Sequence, residues 1–279
     1  MDGRVTLDFG ACLGGTYAAL GRYFGTFVVL VAGWFALGLA VWFGTQIAFV
    51  DAMREFPAFA AEVATWDERA VGLLMMLPLA LVSIPGTISM VVGWHRRIIL
   101  GDVPASPFPI GVGAIFSYLG RLLLAFGIPF IPFFTLAAIG GIVARDALGP
   151  DGGRSFLIGA FITVGVIAAM AIAVRFSIVL PAIAVGDRTM TLARAWMITR
   201  SNTVKLLIGS FLAALPFSIA GNILEKLLEV PKIAAAEWAM GLVLAGVAVE
   251  MMSYATVAGF FSLAYVQFAE ALRDSESGV

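Results

Sequence analysis

Six long apolar runs constrain the fold of this chain more than any other feature of its sequence. They extend over Phe24–Val50, Ala70–Val92, Arg121–Ala144, Phe156–Pro181, Val204–Ile223 and Trp238–Phe268. Each run exceeds the ~18 apolar residues that indicate a membrane-spanning helix. Because 61% of the residues are hydrophobic and only 13% are charged, most of the chain must lie in lipid or against helices that do. The sequence therefore predicts an all-α membrane protein with six transmembrane helices, forming a single membrane domain over residues 1–279.

Lysine and arginine are unevenly distributed between the two ends of these spans. The richer side carries Arg4, Arg22, Arg96, Arg97, Arg121, Arg188, Arg194, Arg200, Lys205 and Arg273. The poorer side carries Arg54, Arg69, Arg145, Arg154, Lys226 and Lys232. The positive-inside rule therefore predicts that both termini lie in the cytoplasm. The first residues lack the pattern of a cleaved signal peptide, so we expect the first span to act as an uncleaved insertion signal.

The composition excludes several classes of function. With Cys12 as the only cysteine and His95 as the only histidine, we expect no disulfide, metal site or iron–sulfur cluster. A net charge of −1 gives no basis for binding nucleic acid. The chain contains no phosphate-binding loop, no GxSxG motif and no paired aspartates of an intramembrane protease. We therefore expect no catalytic residues, no cofactor and a non-enzymatic role.

The spans form three predicted hairpins that look like copies of one unit, with possible repeats at residues 6–100, 106–185 and 191–272. Each would begin with a short cytoplasmic helix at the membrane interface. Leu20-Gly-Arg22 and Leu119-Gly-Arg121 are the clearest match between units. Ser106 and Thr191 have the residue types of helix N-caps. The alternative is chance similarity among apolar, glycine-rich segments.

Two formal charges lie deep within the apolar runs. Arg175 is in the fourth and Glu250 in the sixth. A charge at the bilayer centre costs at least ~2.5–3.5 kcal/mol, so both should face a partner or a cavity. We predict that they form an intramembrane polar core with Tyr254 and Asn222, as a gate, a proton site or an anchor for a polar ligand. The alternative is a buried ion pair, or a neutral carboxyl, that only fixes helix packing.

The side predicted to be cytoplasmic gathers a second set of candidate residues. Basic side chains there attract anionic lipids, each contributing ~1 kcal/mol near the membrane surface. The predicted headgroup-binding residues are His95, Arg96, Arg97, Arg121, Arg188, Arg194, Trp196, Arg200 and Lys205. The alternative is that this charge serves only as the signal that orients the spans.

Two segments carry a family resemblance. Gly93-Trp-His-Arg-Arg-Ile-Ile-Leu-Gly-Asp102, and Val179-Leu-Pro-Ala-Ile-Ala-Val-Gly-Asp187 followed by Thr191-Leu-Ala-Arg-Ala-Trp196, resemble motifs of the YciC-like proteins. They also resemble the membrane domain attached to some glycerophosphodiester phosphodiesterases. The resemblance implies a six-span bacterial inner-membrane protein and implies no catalytic residues. The chain carries no soluble phosphodiesterase domain, so the activity of the fused relatives is not carried over.

Together these features favour a non-enzymatic protein of the bacterial inner membrane that handles a lipid or an amphipathic solute, or maintains the membrane. Its expected partners are membrane lipids, in particular anionic ones. The alternative function is an assembly or scaffold subunit that binds another membrane protein. An intramembrane enzyme is a third and weaker interpretation, because the sequence offers no polar constellation at one depth.

Overall fold

A computed structural model describes residues 5–103, 111–147, 152–230 and 239–277. The predicted cap Ser106 lies outside these ranges. Within them the chain is helical and contains no strand. The helices are α1 (Phe9–Arg22), α2 (Phe24–Glu55), α3 (Pro57–Val63), α4 (Glu68–Leu100), α5 (Val112–Ala147), α6 (Gly152–Phe176), α7 (Val179–Ala184), α8 (Leu192–Ile198), α9 (Thr203–Leu228) and α10 (Ala239–Ser277), with a 3₁₀ turn at Arg200–Asn202.

The prediction of six spanning helices is confirmed. In the described part of the chain, 6 helical segments are long and apolar enough to cross a membrane: Phe24–Glu55, Arg69–Leu100, Val112–Ile139, Gly159–Ala184, Arg200–Leu228 and Gly241–Ser275. Pro78 and Pro85 lie inside α4, Pro129 and Pro132 inside α5, and Pro216 inside α9. A proline in a helix interior leaves a carbonyl without its usual donor, which membrane helices tolerate when neighbouring groups satisfy it.

The long helices pack in sequential pairs. α2 lies against α4, α5 against α6, and α9 against α10, while α10 also contacts α1 and α4. The idea that these pairs are copies of one unit stays a prediction. The third span differs from the expected pattern, because α5 continues without a break from Val112 through Arg121 into the span. A separate short helix precedes the spans at α1 and at α8, where the side chain of Thr191 caps the helix as predicted.

The buried core lies at one end of the bundle, where α1, α7 and α8 meet the adjoining ends of α2, α4, α5, α9 and α10. We call this the basic end, and the remaining length of the six spans the outer half. The most deeply buried large side chains belong to the basic end and include Trp94, Ile178, Leu206, Phe260 and Phe268. Along the outer half, large apolar side chains such as Leu73, Leu81 and Val164 are exposed, as expected where a helix faces lipid.

α10 approaches its neighbours closely at the basic end. A Cβ added to Gly209 of α9 would overlap the ring of Phe260, and one added to Gly259 would overlap the hydroxyl of Thr16 on α1. Small residues allow helix backbones to approach in this way. The hydroxyl of Thr16 donates to the carbonyl of Thr256 at 2.8 Å. α10 is therefore held between α1 and α9 both by shape and by hydrogen bonds.

Candidate functional site

A cavity of about 500 Å³ opens at the basic end between α4, α5 and the segment that follows α7. Its walls include Arg96 from the segment Gly93–Asp102 and several residues from the stretch between Ile183 and Thr191. The described residues that line the cavity include three arginines, one carboxylate and three hydroxyl groups: Val92, Arg96, Ala114, Ser117, Tyr118, Arg121, Ile183, Ala184, Gly186, Asp187, Arg188, Met190 and Thr191.

The turn after α7 places Asp187 and Arg188 at the cavity. α7 ends with Gly186 at a φ of 80°, a left-handed conformation that side chains with a Cβ rarely adopt. The amide of Gly186 donates to the carbonyl of Ile183 at 3.0 Å, and that of Asp187 to the carbonyl of Ala182 at 2.8 Å. This pair of bonds is a Schellman motif, which satisfies the last carbonyls of a helix. The Val-Gly-Asp sequence therefore ends the helix and turns the next two side chains toward the cavity.

The three arginines of the cavity differ in their partners. Arg96 donates to the carboxylate of Asp102 at 2.5 Å and to the carbonyl of Ala184 at 3.5 Å. Both members of this ion pair are well exposed, so the pair contributes little to stability. Arg121 and Arg188 are exposed and make no hydrogen bond or ion pair with the described part of the chain. Two guanidinium groups therefore face the cavity with their donors available.

Among the described residues that line the cavity, Asp187 is the only acidic one. Its carboxylate accepts hydrogen bonds from the backbone and hydroxyl of Thr189 at 2.8 and 2.7 Å, and from the hydroxyl of Tyr265 at 2.7 Å. Partial burial raises the pKa of the carboxyl, but these hydrogen bonds outweigh it and hold the pKa below its ordinary value. Asp187 therefore remains ionised near neutral pH, with most of its hydrogen-bonding capacity used within the fold.

A fully buried polar chain lies behind the cavity wall. His95 contacts the hydroxyl of Ser262 through Nδ1 at 2.7 Å and that of Tyr118 through Nε2 at 3.1 Å. The hydroxyl of Ser262 donates its proton to the carbonyl of Ala258 at 2.8 Å, so it must accept from Nδ1–H. Neutral histidine then has Nε2 as an acceptor, which receives the proton of Tyr118. The chain joins α5, α4 and α10, and it assigns His95 a positioning role behind the cavity.

The other predicted headgroup-binding residues lie outside this cavity. Arg97 stacks over the ring of Tyr23 at 4.2 Å and donates to the carbonyl of Gly101 at 2.7 Å. Lys205 donates to the carbonyl of Leu7 at 2.8 Å, which holds the segment before α1. Arg194 lies on α8 and is partly buried, and Arg200 is exposed in the 3₁₀ turn.

The predicted intramembrane core is divided between two places. Arg175 donates to the carbonyl of Trp196 and, at 3.3 Å, to the hydroxyl of Thr199, and it stacks over the ring of Trp196. These contacts fix α6 against α8 at the basic end. Glu250 accepts from the hydroxyl of Tyr254 at 2.7 Å, on the exposed face of α10. No ion pair joins Arg175 to Glu250 in the described structure.

Sequence reasoning missed Tyr118, Asp187, Ser262 and Tyr265 as members of the site. Tyr118 and Ser262 lie in apolar runs whose inward faces the sequence does not distinguish. The sequence did carry a signal for Asp187, which is the glycine before it. Glycine often ends a helix, and the residues after it lie in the turn where the chain changes direction.

No model of a known protein family, no curated protein and no solved structure matches this chain.

Proposed function

We propose that this multi-pass membrane protein binds the phosphate-bearing headgroup of an anionic lipid in the cavity at its basic end. The single observation that carries the proposal is the pair of arginines, Arg121 and Arg188, that face the cavity without partners in the described structure. A planar guanidinium offers paired donors that match the oxygens of a phosphate. The site binds its ligand without transforming it.

The charge balance of the cavity supports an anionic ligand. Arg96, Arg121 and Arg188 bring three positive charges, against the carboxylates of Asp102 and Asp187. Asp187 stays ionised, but the hydrogen bonds that it accepts occupy most of its lone pairs within the fold. The hydroxyls of Ser117 and Thr191 add neutral donors at the same cavity. A phosphate would therefore meet a net positive site with several donors.

The position of the cavity favours a lipid over a soluble anion. It lies where α4 and α7 end and α5 begins, which is the level at which headgroups meet a spanning helix. The positive-inside rule predicts that this end faces the cytoplasm, and the family resemblance implies a bacterial inner membrane. The cytoplasmic leaflet of that membrane is the source of the lipid in this proposal. The acyl chains of such a lipid would extend along the apolar surfaces of the spans.

Native mass spectrometry tests the proposal directly. The protein is released from nanodiscs that contain phosphatidylglycerol or phosphatidylcholine, and bound lipid is counted. We expect wild type to retain phosphatidylglycerol. Arg121→Gln and Arg188→Gln should each weaken retention by about tenfold, since losing a charge-assisted hydrogen bond costs ~1.5 kcal/mol.

Arg54→Gln is the matched control, because it removes the same charge from the far end of α2. It should leave retention unchanged. Equal loss for Arg54→Gln and Arg121→Gln would show that net charge alone attracts the lipid, and equal retention of both lipids would refute the proposal. Titration with glycerol 3-phosphate distinguishes a lipid headgroup from a free phosphate ester.

A further inference from the structure

The exposed carboxyl of Glu250 is the strongest unexplained feature of the outer half. It lies 11 residues beyond the first residue of α10, a rise of about 16 Å along the helix axis. That position is well within the apolar segment Gly241–Ser275. Its hydrogen-bond partner is Tyr254 on the same helix, which is itself 41% exposed. A carboxyl group facing lipid at this depth is unfavourable unless something covers it.

The register of α9 and α10 determines what lies beside Glu250. Gly209 meets Phe260, Ala213 accepts a hydrogen bond from Thr256 at 2.8 Å, and a Cβ on Gly221 would lie 3.9 Å from Val249. In these three contacts the residue numbers increase along α9 while they decrease along α10. The two helices are therefore antiparallel. Gly221 and Val249 therefore mark one depth in the membrane.

Asn222 and Glu250 follow these two contact residues and point to the same side of the helix pair. Each successive residue turns by about 100° around a helix axis. Because α9 and α10 run in opposite directions, the turn is in opposite senses when both are viewed from one end. The residue after Gly221 and the residue after Val249 therefore both lie on the same face of the helix pair. In agreement, both side chains are exposed.

The hydrogen-bonding capacity of these two side chains is only partly used. The amide of Asn222 donates one N–H to the carbonyl of Ser218 at 2.7 Å, and an asparagine amide has two. The carboxyl of Glu250 accepts from Tyr254 through one oxygen, which leaves the second oxygen available. One face thus carries a free donor and a free acceptor whose depths differ by only about 3 Å.

We infer that this face binds a second copy of the chain, in which Asn222 of each copy donates to Glu250 of the other. A two-fold axis along the membrane normal brings together residues of equal depth, and it makes every contact reciprocal. Ile219, Ile223 and Val243 supply exposed apolar surface on the same two helices. A hollow of about 420 Å³ beside Asn222 and Lys226 on α9 offers room for a side chain of the second copy.

Disulfide trapping between two differently tagged chains tests this contact. Both carry Cys12→Ala, one also carries Asn222→Cys, and the other carries Glu250→Cys. In the mixed dimer one reciprocal Asn222–Glu250 bond remains intact while the two cysteines face each other. We expect oxidation in vesicles to link the two tags. Val164→Cys, exposed on α6, replaces Asn222→Cys in the control and should give no link to Glu250→Cys.

An exchange of the two polar groups gives a second, independent test. Asn222→Asp places two carboxyls together and should raise the dissociation constant of the dimer by about tenfold, since two interhelical hydrogen bonds are lost. Adding Glu250→Gln restores a donor opposite an acceptor and should return the constant toward the wild-type value. Single-molecule photobleaching in vesicles measures the dissociation constants of the single and the double variant.

A protein that is monomeric at all densities in vesicles, or an Asn222→Asp variant with unchanged association, would overturn the inference. A different membrane protein that occupies this face in fixed ratio would overturn it as well. The result is independent of headgroup binding, because the arginines of the cavity lie at the basic end, whereas Asn222 and Glu250 lie in the outer half. Cys12→Ala lies at the basic end, but every chain of the trapping experiment carries it, including the control.

Discussion

The two ends of this bundle are stabilised in different ways. At the basic end, buried and partly buried side chains bond to segments distant in the sequence: Tyr17 donates to the carbonyl of Leu212 at 2.6 Å, and Asn202 accepts from the amide of Leu7 at 3.0 Å. In the outer half, the hydroxyls of Thr135 and Thr163 bond to carbonyls four residues earlier on their own helices. The hydrogen bonds that fix how the helices pack are therefore concentrated at the basic end. In the outer half, each helix is stabilised by its own backbone hydrogen bonds and by contact with lipid.

This difference has a physical basis. Lipid solvates an apolar side chain about as well as a neighbouring helix does, so apolar burial alone drives helices together weakly in a membrane. Close packing and hydrogen bonds between helices must supply the rest, and both are found at the basic end. We therefore expect substitutions at the basic end to have larger effects on stability than chemically identical ones in the outer half.

The largest expected contrast is between two phenylalanines. Phe260 is 0% exposed and lies on Gly209, whereas Phe161 is 56% exposed on α6. Phe260→Ala should destabilise the protein by about 3 kcal/mol because it leaves a cavity between α9 and α10. Phe161→Ala should change stability by less than about 0.5 kcal/mol. Denaturant unfolding in a single detergent measures both, and equal losses would contradict the comparison.

A smaller contrast is expected for buried and exposed hydroxyls. Tyr118→Phe removes the donor to Nε2 of His95 and should cost about 1–2 kcal/mol, because a buried acceptor loses its partner. Thr163→Val removes a hydroxyl that bonds only to the carbonyl of Gly159 on its own helix and should be close to neutral. The same unfolding experiment applies. A neutral Tyr118→Phe would show that the polar chain behind the cavity contributes nothing to the fold.

The smallest effect concerns Asp187 and depends on pH. Its carboxyl has a lower pKa in the folded state than the ordinary value of 3.8, so the ionised form stabilises the fold. That contribution is complete above the ordinary value and is lost as the pH falls through the lower folded-state pKa. Wild type should therefore be more stable than Asp187→Asn at neutral pH, and the difference should shrink below pH 3.8. A difference that is constant with pH would contradict this assignment.

The sequence was sufficient to predict the spans because length and hydrophobicity are local properties. All six predicted runs are confirmed as spanning helices, and the residue type of Thr191 correctly indicated a cap. Arg175 was singled out because formal charges are rare in the apolar runs, but its partners are Trp196 on α8 and Thr199 at the C-cap of α8. The sequence does not show how the turn between α6 and α8 directs the chain. Charge alone identifies a residue that needs a partner and does not identify the partner.

The cavity was only partly predictable for a related reason. Arg96, Arg121 and Arg188 stood out because basic residues gather on one side of the spans, and the structure brings these three to one cavity. The residues that support the cavity are different, since Ser262 lies 167 positions from His95. A serine or tyrosine in an apolar run can face lipid, contact a neighbouring helix or belong to a buried hydrogen-bonded network, and the sequence does not distinguish these positions. Which face of a spanning helix points inward depends on neighbours far away in the sequence.

The central position of α10 has a consequence for how the protein is made. α10 contributes the carbonyl that Thr16 needs, the hydroxyl that His95 needs and the hydroxyl that Asp187 needs. All three of these residues are synthesised well before α10 is. Until α10 enters the membrane, the earlier helices hold polar groups without their final partners, a state that is prone to misassembly and degradation. Assembly of the basic end is therefore expected to be a late event in biogenesis, and chaperones or proteases that survey the membrane would encounter the chain before it is complete.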